Sequence, residues 1–353
     1  MLTGRRLWLG TVVTGGFLVL LLLTFDFSDT RAALAGANYA YIAPAVLIYL
    51  GSLYLRAFRW RYLLNPFVSA STKRLFPVVL VGYMTNGVLP MRLGEVVQSY
   101  YLSTREPVRT TTAFATLLIE RVFDGLALLF FIALSALFLP IPGLADRISE
   151  SADLDLWVVV LLVVFPFLFF FGLMVLAGTK PSIFLAAAGW TSRRLPFRIG
   201  QSIADAAARF FAGFEGLHRP RRLLGVFLQS LPIWIGVLAT YVLVGVTFDL
   251  HNEFDNIGLM VVVMLAVMAT SHLASSVPSS QGAIGPFEFI AVLTLVFMGA
   301  PSGVATAFAL IVHVTMLLPP IVAGAVHLAG RHVSLKQLAA ASTNEVVLDF
   351  PTT

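Results

Sequence analysis

The sequence contains no cysteine, which excludes disulfides, thiolate metal ligands and thiol catalysis and leaves the redox compartment open. It is also poor in charge. Only 12% of its 353 residues are Asp, Glu, Lys or Arg, about half of the roughly 25% found in a soluble domain, so an ordinary soluble enzyme is excluded. Apolar bulk takes the place of charge: 58% of the chain is hydrophobic and 29 residues are Phe. Runs such as 17–23 and 157–171 are continuously apolar. A membrane β-barrel would instead alternate polar and apolar residues in strands of about ten, so the fold class expected is an all-α polytopic membrane protein. The net charge of +5 is scattered between apolar segments. This distribution suits a membrane surface and gives no reason to expect a nucleic-acid partner.

Six runs are long enough to cross about 30 Å of hydrocarbon: residues 7–25, 39–55, 111–139, 157–177, 223–248 and 303–329. The first follows Arg5 and Arg6 and precedes Ala33-Leu34-Ala35. It can also be read as a signal peptide, although its apolar core is longer than the usual ~7–15 residues. Two more stretches, 75–103 and 257–299, are apolar but interrupted. With a cytoplasmic N-terminus, segments 1–6, 56–74, 104–110, 178–222 and 330–353 lie inside and hold nineteen Lys and Arg. The outside segments hold two, and nine acidic residues. This bias predicts a multi-pass protein of the cell inner membrane with both termini cytoplasmic. In the connection 178–222, Ile199, Ile203, Ala207, Phe210, Phe211, Phe214 and Leu217 recur at helical spacing, as in a helix lying on the inner leaflet or packed against the bundle. The tail 331–353 is polar and is expected to be flexible.

The two interrupted stretches resemble each other. One reads Asn86-Gly87-Val88-Leu89-Pro90-Met91-Arg92-Leu93-Gly94-Glu95; the other runs from Ser275 through Pro278, Ser279, Ser280, Gln281, Gly282, Gly285 and Pro286 to Glu288. Each places a small polar residue, then Pro, then Gly, then a Glu that opens a new apolar helix. Each also follows two spans and precedes one. Residues 1–140 and 141–330 thus read as two repeats of opposite topology, with Gly94, Pro278, Gly282 and Gly285 as hinges. Inverted repeats with interrupted helices form transporters whose substrate sits near the midplane. The interrupted stretches are read as re-entrant hairpins; two kinked crossings, giving eight spans, would put the basic connection 178–222 outside.

Charges within apolar segments are costly unless paired or wet. Arg92, Glu95, Glu120, Arg121, Asp124 and Glu288 fall in this class. Glu120 and Asp124, four apart, share a helix face. These groups either hold helices in register as buried pairs or line a polar cavity where guanidinium meets phosphate and carboxylate meets a cation or proton. Asn86, Pro90, Ser279, Ser280 and Gln281 accompany them as substrate-binding candidates, by hydrogen bonding to a headgroup or to freed backbone. Arg56, Arg59 and Arg61 alternate with aromatic residues at a span end, as an anchoring belt or as a headgroup entrance. His272, His313 and His327 have no metal-ligand spacing, and no Gly-x-Ser-x-Gly nucleophile elbow is present.

Together, Arg59-Trp60-Arg61-Tyr62-Leu63-Leu64, Asn86 to Pro90 with Arg92-Leu93-Gly94-Glu95, Glu120-Arg121-Val122-Phe123-Asp124, and Pro278 to Gly285 with Glu288 resemble the lysylphosphatidylglycerol synthase transmembrane-region family of flippase-like proteins. The resemblance covers about residues 40 to 329. It implies that the membrane region translocates a lipid, since in the two-part members a separate cytoplasmic domain makes the aminoacylated phospholipid. No segment here can be that domain, so translocation without synthesis is expected. The cargo would be a phospholipid, aminoacylated or not, or a lipid-linked headgroup. No ATP-binding motif is present, so passive exchange, or coupling to a proton or sodium ion, is expected, with no cofactor and no enzymatic activity; oligomers are compatible with the pattern. The alternatives are an intramembrane transferase using Glu95 or Glu120 as general base and a scaffold for another membrane enzyme.

Overall fold

In hydrocarbon a backbone N–H or C=O must find its partner inside its own segment, so apolar runs of this length fold as helices. The computed structural model describes residues 27–89, 93–138, 156–194, 220–254, 256–275 and 281–348, with isolated positions between 200 and 211. Among them the long elements are all helical: α1 (Phe27–Gly36), α2 (Ile42–Leu64), α3 (Thr72–Val88), α4 (Gly94–Ser103), α5 (Thr110–Phe138), α6 (Leu156–Thr179), α7 (Pro181–Ser192), α8 (Pro220–Thr247), α9 (Ile257–Ser275), α10 (Pro286–Phe297), α11 (Ser302–Ala329) and α12 (Leu335–Leu348).

Sequence punctuation sets many of these ends. Proline opens α7, α8 and α10, where its missing N–H costs nothing and its fixed φ suits a first turn. After α10, Gly299 takes φ 101°; its N–H donates to the Val296 carbonyl at 3.0 Å and that of Ala300 to Leu295 at 3.1 Å. Both bonds complete a left-handed cap that only glycine adopts without strain.

Four helices are long and apolar enough to cross a membrane: Tyr39–Leu64 (α2 with its preceding turn), Pro220–Thr247, Ile257–Ser275 and Ser302–Ala329. Phe167–Thr179 and Pro181–Ser192, bent by 94°, make a fifth if they form one span. α5, with 29 residues, is also long enough, but Glu120, Arg121 and Asp124 interrupt its apolar surface. The expected span 7–25 lies outside the described residues, as does most of the expected helix in 178–222. That connection holds instead an apolar helix the sequence reading did not separate, α7, with Ile183, Leu185 and Trp190 exposed.

Each interrupted stretch is two helices packed on each other: α3 against α4, and α9 against α10. The arms are unequal. α3 has 17 residues and α4 has 10, whereas α9 has 19 and is itself long enough to cross, which the sequence reading did not expect. The contacts are reciprocal: α3 packs on α11, α9 packs on α5, and α2 packs on α8. Every one of these pairs joins the first 140 residues to the rest, so the two halves share one interior. The hairpin tips also meet. An added Cβ on Gly282 would lie 3.6 Å from the Gly87 carbonyl and 3.0 Å from Leu317.

Part of the tail expected to be flexible is helical. Residues 335–348 form α12, which packs on α4 with Leu338 and Ser342 buried. A short apolar stripe among polar residues anchors it.

Gly94 closes the first hairpin. A Cβ there would sit 2.4 Å from both Asn86 Cγ and the Gly82 carbonyl, while its N–H donates to Asn86 Oδ1 at 2.7 Å. In an open helix Gly→Ala stabilises by up to about 1 kcal/mol. Here Gly94→Ala is expected to destabilise by about 2 kcal/mol, the usual cost of overpacking. Thermal unfolding in detergent checks the sign; a variant as stable as wild type would refute the close approach.

Candidate functional site

α2, α5 and α8 bring five of the sequence-selected charges together. Arg56 and Arg59 lie three apart on α2 and face Glu120 and Asp124, one turn apart on α5, as helical spacing requires. Arg59 is wholly buried. Its Nε donates to Glu120 Oε1 at 3.1 Å, and its Nη1 donates to Asp124 Oδ1 at 2.9 Å and to Ser230 Oγ of α8 at 2.7 Å. Arg56 Nη1 donates to Asp124 Oδ2 at 2.7 Å, and its guanidinium lies 5.0 Å from the Trp234 ring centre. Trp234 Nε1 donates to Asp124 Oδ1 at 3.3 Å. Asp124 is thus held by two guanidinium groups and an indole, and Arg59 by two carboxylates and a hydroxyl. The Arg59 Nη2 atom has no hydrogen-bond partner among the described residues.

Burial corrects the belt expected on α2. Arg56 and Arg59 are interior, not at a headgroup entrance; of the three, only Arg61 is exposed. The sequence reading counted intramembrane acids in excess because it assigned these two arginines to the surface. With them the group Arg56, Arg59, Arg121, Glu95, Glu120 and Asp124 is formally neutral, which is what a low-dielectric interior demands.

The cluster has one open edge. Arg121 keeps about 35% of its side chain exposed, with Nη2 3.4 Å from Asp124 and Nε 4.0 Å from Glu95. Glu95 sits in the first turn of α4, where the helix dipole favours an anion. Both its oxygens lie 3.4 Å from Asn86 Nδ2, so Asn86 grips the short arm of the hairpin at two points, Gly94 and Glu95. One turn from Arg121 on the same face of α5, Gly125 lines an apolar groove of about 360 Å³. Val122, Leu126 and Leu129 of α5, Leu173 and Met174 of α6, and Leu273 of α9 form most of its wall. Nothing lies within 4 Å of the position a Cβ would take on Gly125. Arg121 itself is not in the groove's lining; it stands one helical turn before Gly125, which is.

Glu288 sits apart from this cluster, at the head of α10. Its Oε2 accepts the Gly285 N–H at 2.7 Å, and its Oε1 is 2.5 Å from His313 Nδ1 on α11. His313 Nε2 lies 2.9 Å from the Gly282 carbonyl. A carbonyl only accepts, so Nε2 carries hydrogen and the contact between Nδ1 and Glu288 holds one further proton. That pair is either imidazolium with carboxylate or imidazole with carboxylic acid. Gly282 (φ 61°) and Gly285 (φ 101°) adopt backbone that other residues rarely take, and this lets the turn deliver both groups to His313. Gln281 is exposed beside them. Pro90, Arg92, Pro278, Ser279 and Ser280 lie outside the described residues. No group of three His, Asp or Glu able to hold a metal occurs among those that are described.

Several partners escaped the sequence reading. Ser230 and Trp234 are polar groups one turn apart in the middle of α8, and that spacing was a usable signal. His313 was visible as an intramembrane histidine, but its carboxylate lies 25 residues away along the chain.

These features define a multi-pass helical membrane protein with a neutral charge cluster and, on the same helix α5, an apolar groove. A profile of the lysylphosphatidylglycerol synthase TM region matches residues 7–324, and the chain belongs to that family. It is 28% identical over 323 residues to a protein named Glycosyltransferase AglD from Haloferax volcanii, an alignment covering 85% of this chain and 50% of that one. A UPF0104 membrane protein of Methanothermobacter thermautotrophicus is 23% identical over 306 residues, 82% of this chain and 85% of its own. One from Methanocaldococcus jannaschii is 28% identical over 118 residues, 33% of this chain and 35% of its own. The chain thus spans about half the length of AglD. Similarity to a protein named as a glycosyltransferase overturns the expectation that this chain has no enzymatic activity.

Removing one member of a buried ion pair typically costs about 3–5 kcal/mol, because the partner charge is left uncompensated. Arg59→Met is expected to destabilise by that order. Adding Glu120→Gln should recover part of the loss, since it removes one of the two stranded carboxylates. Thermal unfolding of both variants in detergent tests this, and a double variant less stable than the single one would refute the pairing.

Proposed function

We propose that the chain binds a lipid with a phosphate-bearing headgroup and moves it between leaflets without ATP. The observation that carries this is the continuity along α5 from Arg121 to Gly125 and the groove. A guanidinium fork suits a phosphate, Glu95 beside it suits an amine on the same headgroup, and the apolar wall suits an acyl or prenyl chain. Cargo is therefore a phospholipid, aminoacylated or not, or a lipid-linked headgroup. The two halves would form the inverted repeat of a carrier: each hairpin packs against the other half's last long helix, as rocking halves require. Of the proton and the sodium ion, we assign coupling to a proton held between His313 and Glu288. Their direct contact supplies a protonation site at a hairpin turn. The setting would be the cell inner membrane, with the Lys- and Arg-rich connections in the cytoplasm.

A second reading rests on the similarity to Glycosyltransferase AglD. In it the same groove would hold a lipid-linked sugar donor, with Glu95, the carboxylate at the open edge, as general base.

Liposomes containing purified protein, loaded with fluorescent phosphatidylglycerol, its lysyl form or phosphatidylethanolamine, separate the two. Leaflet exchange supports translocation; product from a lipid-linked donor without exchange supports transfer. Arg121→Gln is expected to slow exchange about tenfold or more, the loss of one charge-assisted hydrogen bond. Gly125→Phe should do the same by filling the groove. Its stability should stay within about 1 kcal/mol of wild type, because the site is open and glycine is a poor helix former. Full exchange by both variants would remove the groove from the mechanism.

A further inference from the structure

At one end of the bundle, away from the groove, a second cavity of about 400 Å³ is lined by Lys73, Arg74, Arg105, Glu106, His327 and Arg331, together with Pro77, Val78 and Leu102. The first turn of α3, the connection after α4 and the last turn of α11 meet there. Four cations face one carboxylate. Arg74 Nη1 lies 3.4 Å from Glu106 Oε1, and among the described residues no carboxylate is paired with Lys73, Arg105 or Arg331.

The helix makes this excess larger. Lys73 and Arg74 occupy the first turn of α3, which carries no acidic residue. That is the positive end of the helix dipole, where lysine and arginine are disfavoured and anions are attracted. The remaining groups are fixed in place. The Arg105 guanidinium stacks 4.4 Å from the centre of the Tyr101 ring, and the Tyr101 hydroxyl is hydrogen-bonded to His327 Nε2 at 3.0 Å. Arg105 is thereby held at the cavity wall at little cost in side-chain freedom. Three uncompensated cations beside a helix N-terminus favour an anion of more than one charge. The connections that meet here are among those rich in Lys and Arg.

We propose that this cavity binds a phosphomonoester dianion, a site separate from the Arg121 groove and independent of the function proposed for it. The dianion can come from a lipid phosphate or from soluble phosphate. A phosphodiester headgroup, with one negative charge, leaves the site undercompensated and binds more weakly.

The test is calorimetric titration of the purified full-length chain in nonionic detergent with dioctanoyl phosphatidic acid, dioctanoyl phosphatidylglycerol and inorganic phosphate. Phosphatidic acid is expected to bind about tenfold more tightly than phosphatidylglycerol, the worth of one further charge-assisted contact. The exposed pair Lys73→Gln and Arg331→Gln, made together, should erase that preference. Arg221→Gln, an exposed cation at the start of α8, should leave it unchanged. Inorganic phosphate binding as tightly as phosphatidic acid identifies the soluble ion as sufficient ligand; much weaker binding identifies the lipid. The proposal is overturned if the two lipids bind equally, if the double variant keeps the preference, or if Arg221→Gln erases it too.

Discussion

Arg59 is the point on which the arrangement turns. One guanidinium, wholly buried, reaches two carboxylates of α5 and a hydroxyl of α8, so three helices from both halves of the chain are fixed by a single side chain. In hydrocarbon such a group is tolerable only because every charge around it is compensated. Arg56 repeats the logic on the other oxygen of Asp124. The cost of the buried charges is thus converted into register: sliding α2 or α5 by one residue would separate each guanidinium from its carboxylate and leave both unsatisfied. Apolar packing alone is less selective, because lipid tails are as apolar as leucine and do not penalise a slipped helix.

The same neutrality explains why the site opens where it does. Arg56 and Arg59 saturate Asp124 and Glu120 from one side, so Arg121 has only longer contacts, 3.4 Å to Asp124 and 4.0 Å to Glu95. Its Nε, like Arg59 Nη2, has no hydrogen-bond partner among the described residues, but only Arg121 is part-exposed. An anion arriving at Arg121 would displace no short ion pair and leave the Arg59 core intact. The guanidinium groups thus differ in setting: those of α2 are buried and hold helices, and that of α5 is part-exposed with looser contacts.

Much of this was legible in the sequence, and the misses have physical causes. Long apolar runs gave α5, α6, α8 and α11 nearly to their ends, since continuous hydrocarbon leaves the backbone little choice, but the span read as 39–55 stopped nine residues short of the end of α2, where the arginines begin. The i,i+4 spacing of Glu120 and Asp124 put both on one face. What failed was partner assignment. Arg56 and Arg59 sit among Trp60, Tyr62 and Arg61, a composition that at a span end usually means an interfacial belt, and composition does not tell which side of a helix is turned inward. Only Arg61 follows the compositional rule. Glu288 and His313 pair across a turn whose shape depends on Gly282 and Gly285 at positive φ, and no periodicity in either helix encodes that meeting. The unequal lengths of α9 and α10 were hidden by treating 257–299 as one interrupted unit.

The two hairpins differ in how they are closed, and this bears on which of them can respond to a proton. In the first, Asn86 is a neutral amide that accepts from Gly94 N–H and approaches Glu95 through Nδ2. In the second, the turn is closed by Glu288 on the Gly285 N–H and by His313 on the Gly282 carbonyl, two titratable groups sharing a proton across one contact. Losing that proton would leave either a carboxylate facing a neutral nitrogen lone pair or a ring that can no longer donate to both neighbours. The turn that meets Gly87 at the other hairpin's tip is therefore the one closed by an imidazole–carboxyl contact, and Pro319 and Pro320 lie inside α11, six and seven residues after His313. Proline removes the N–H that would bond four residues back and so weakens the helix there. The imidazole–carboxyl contact and the two prolines thus share α11, the helix that both hairpins touch.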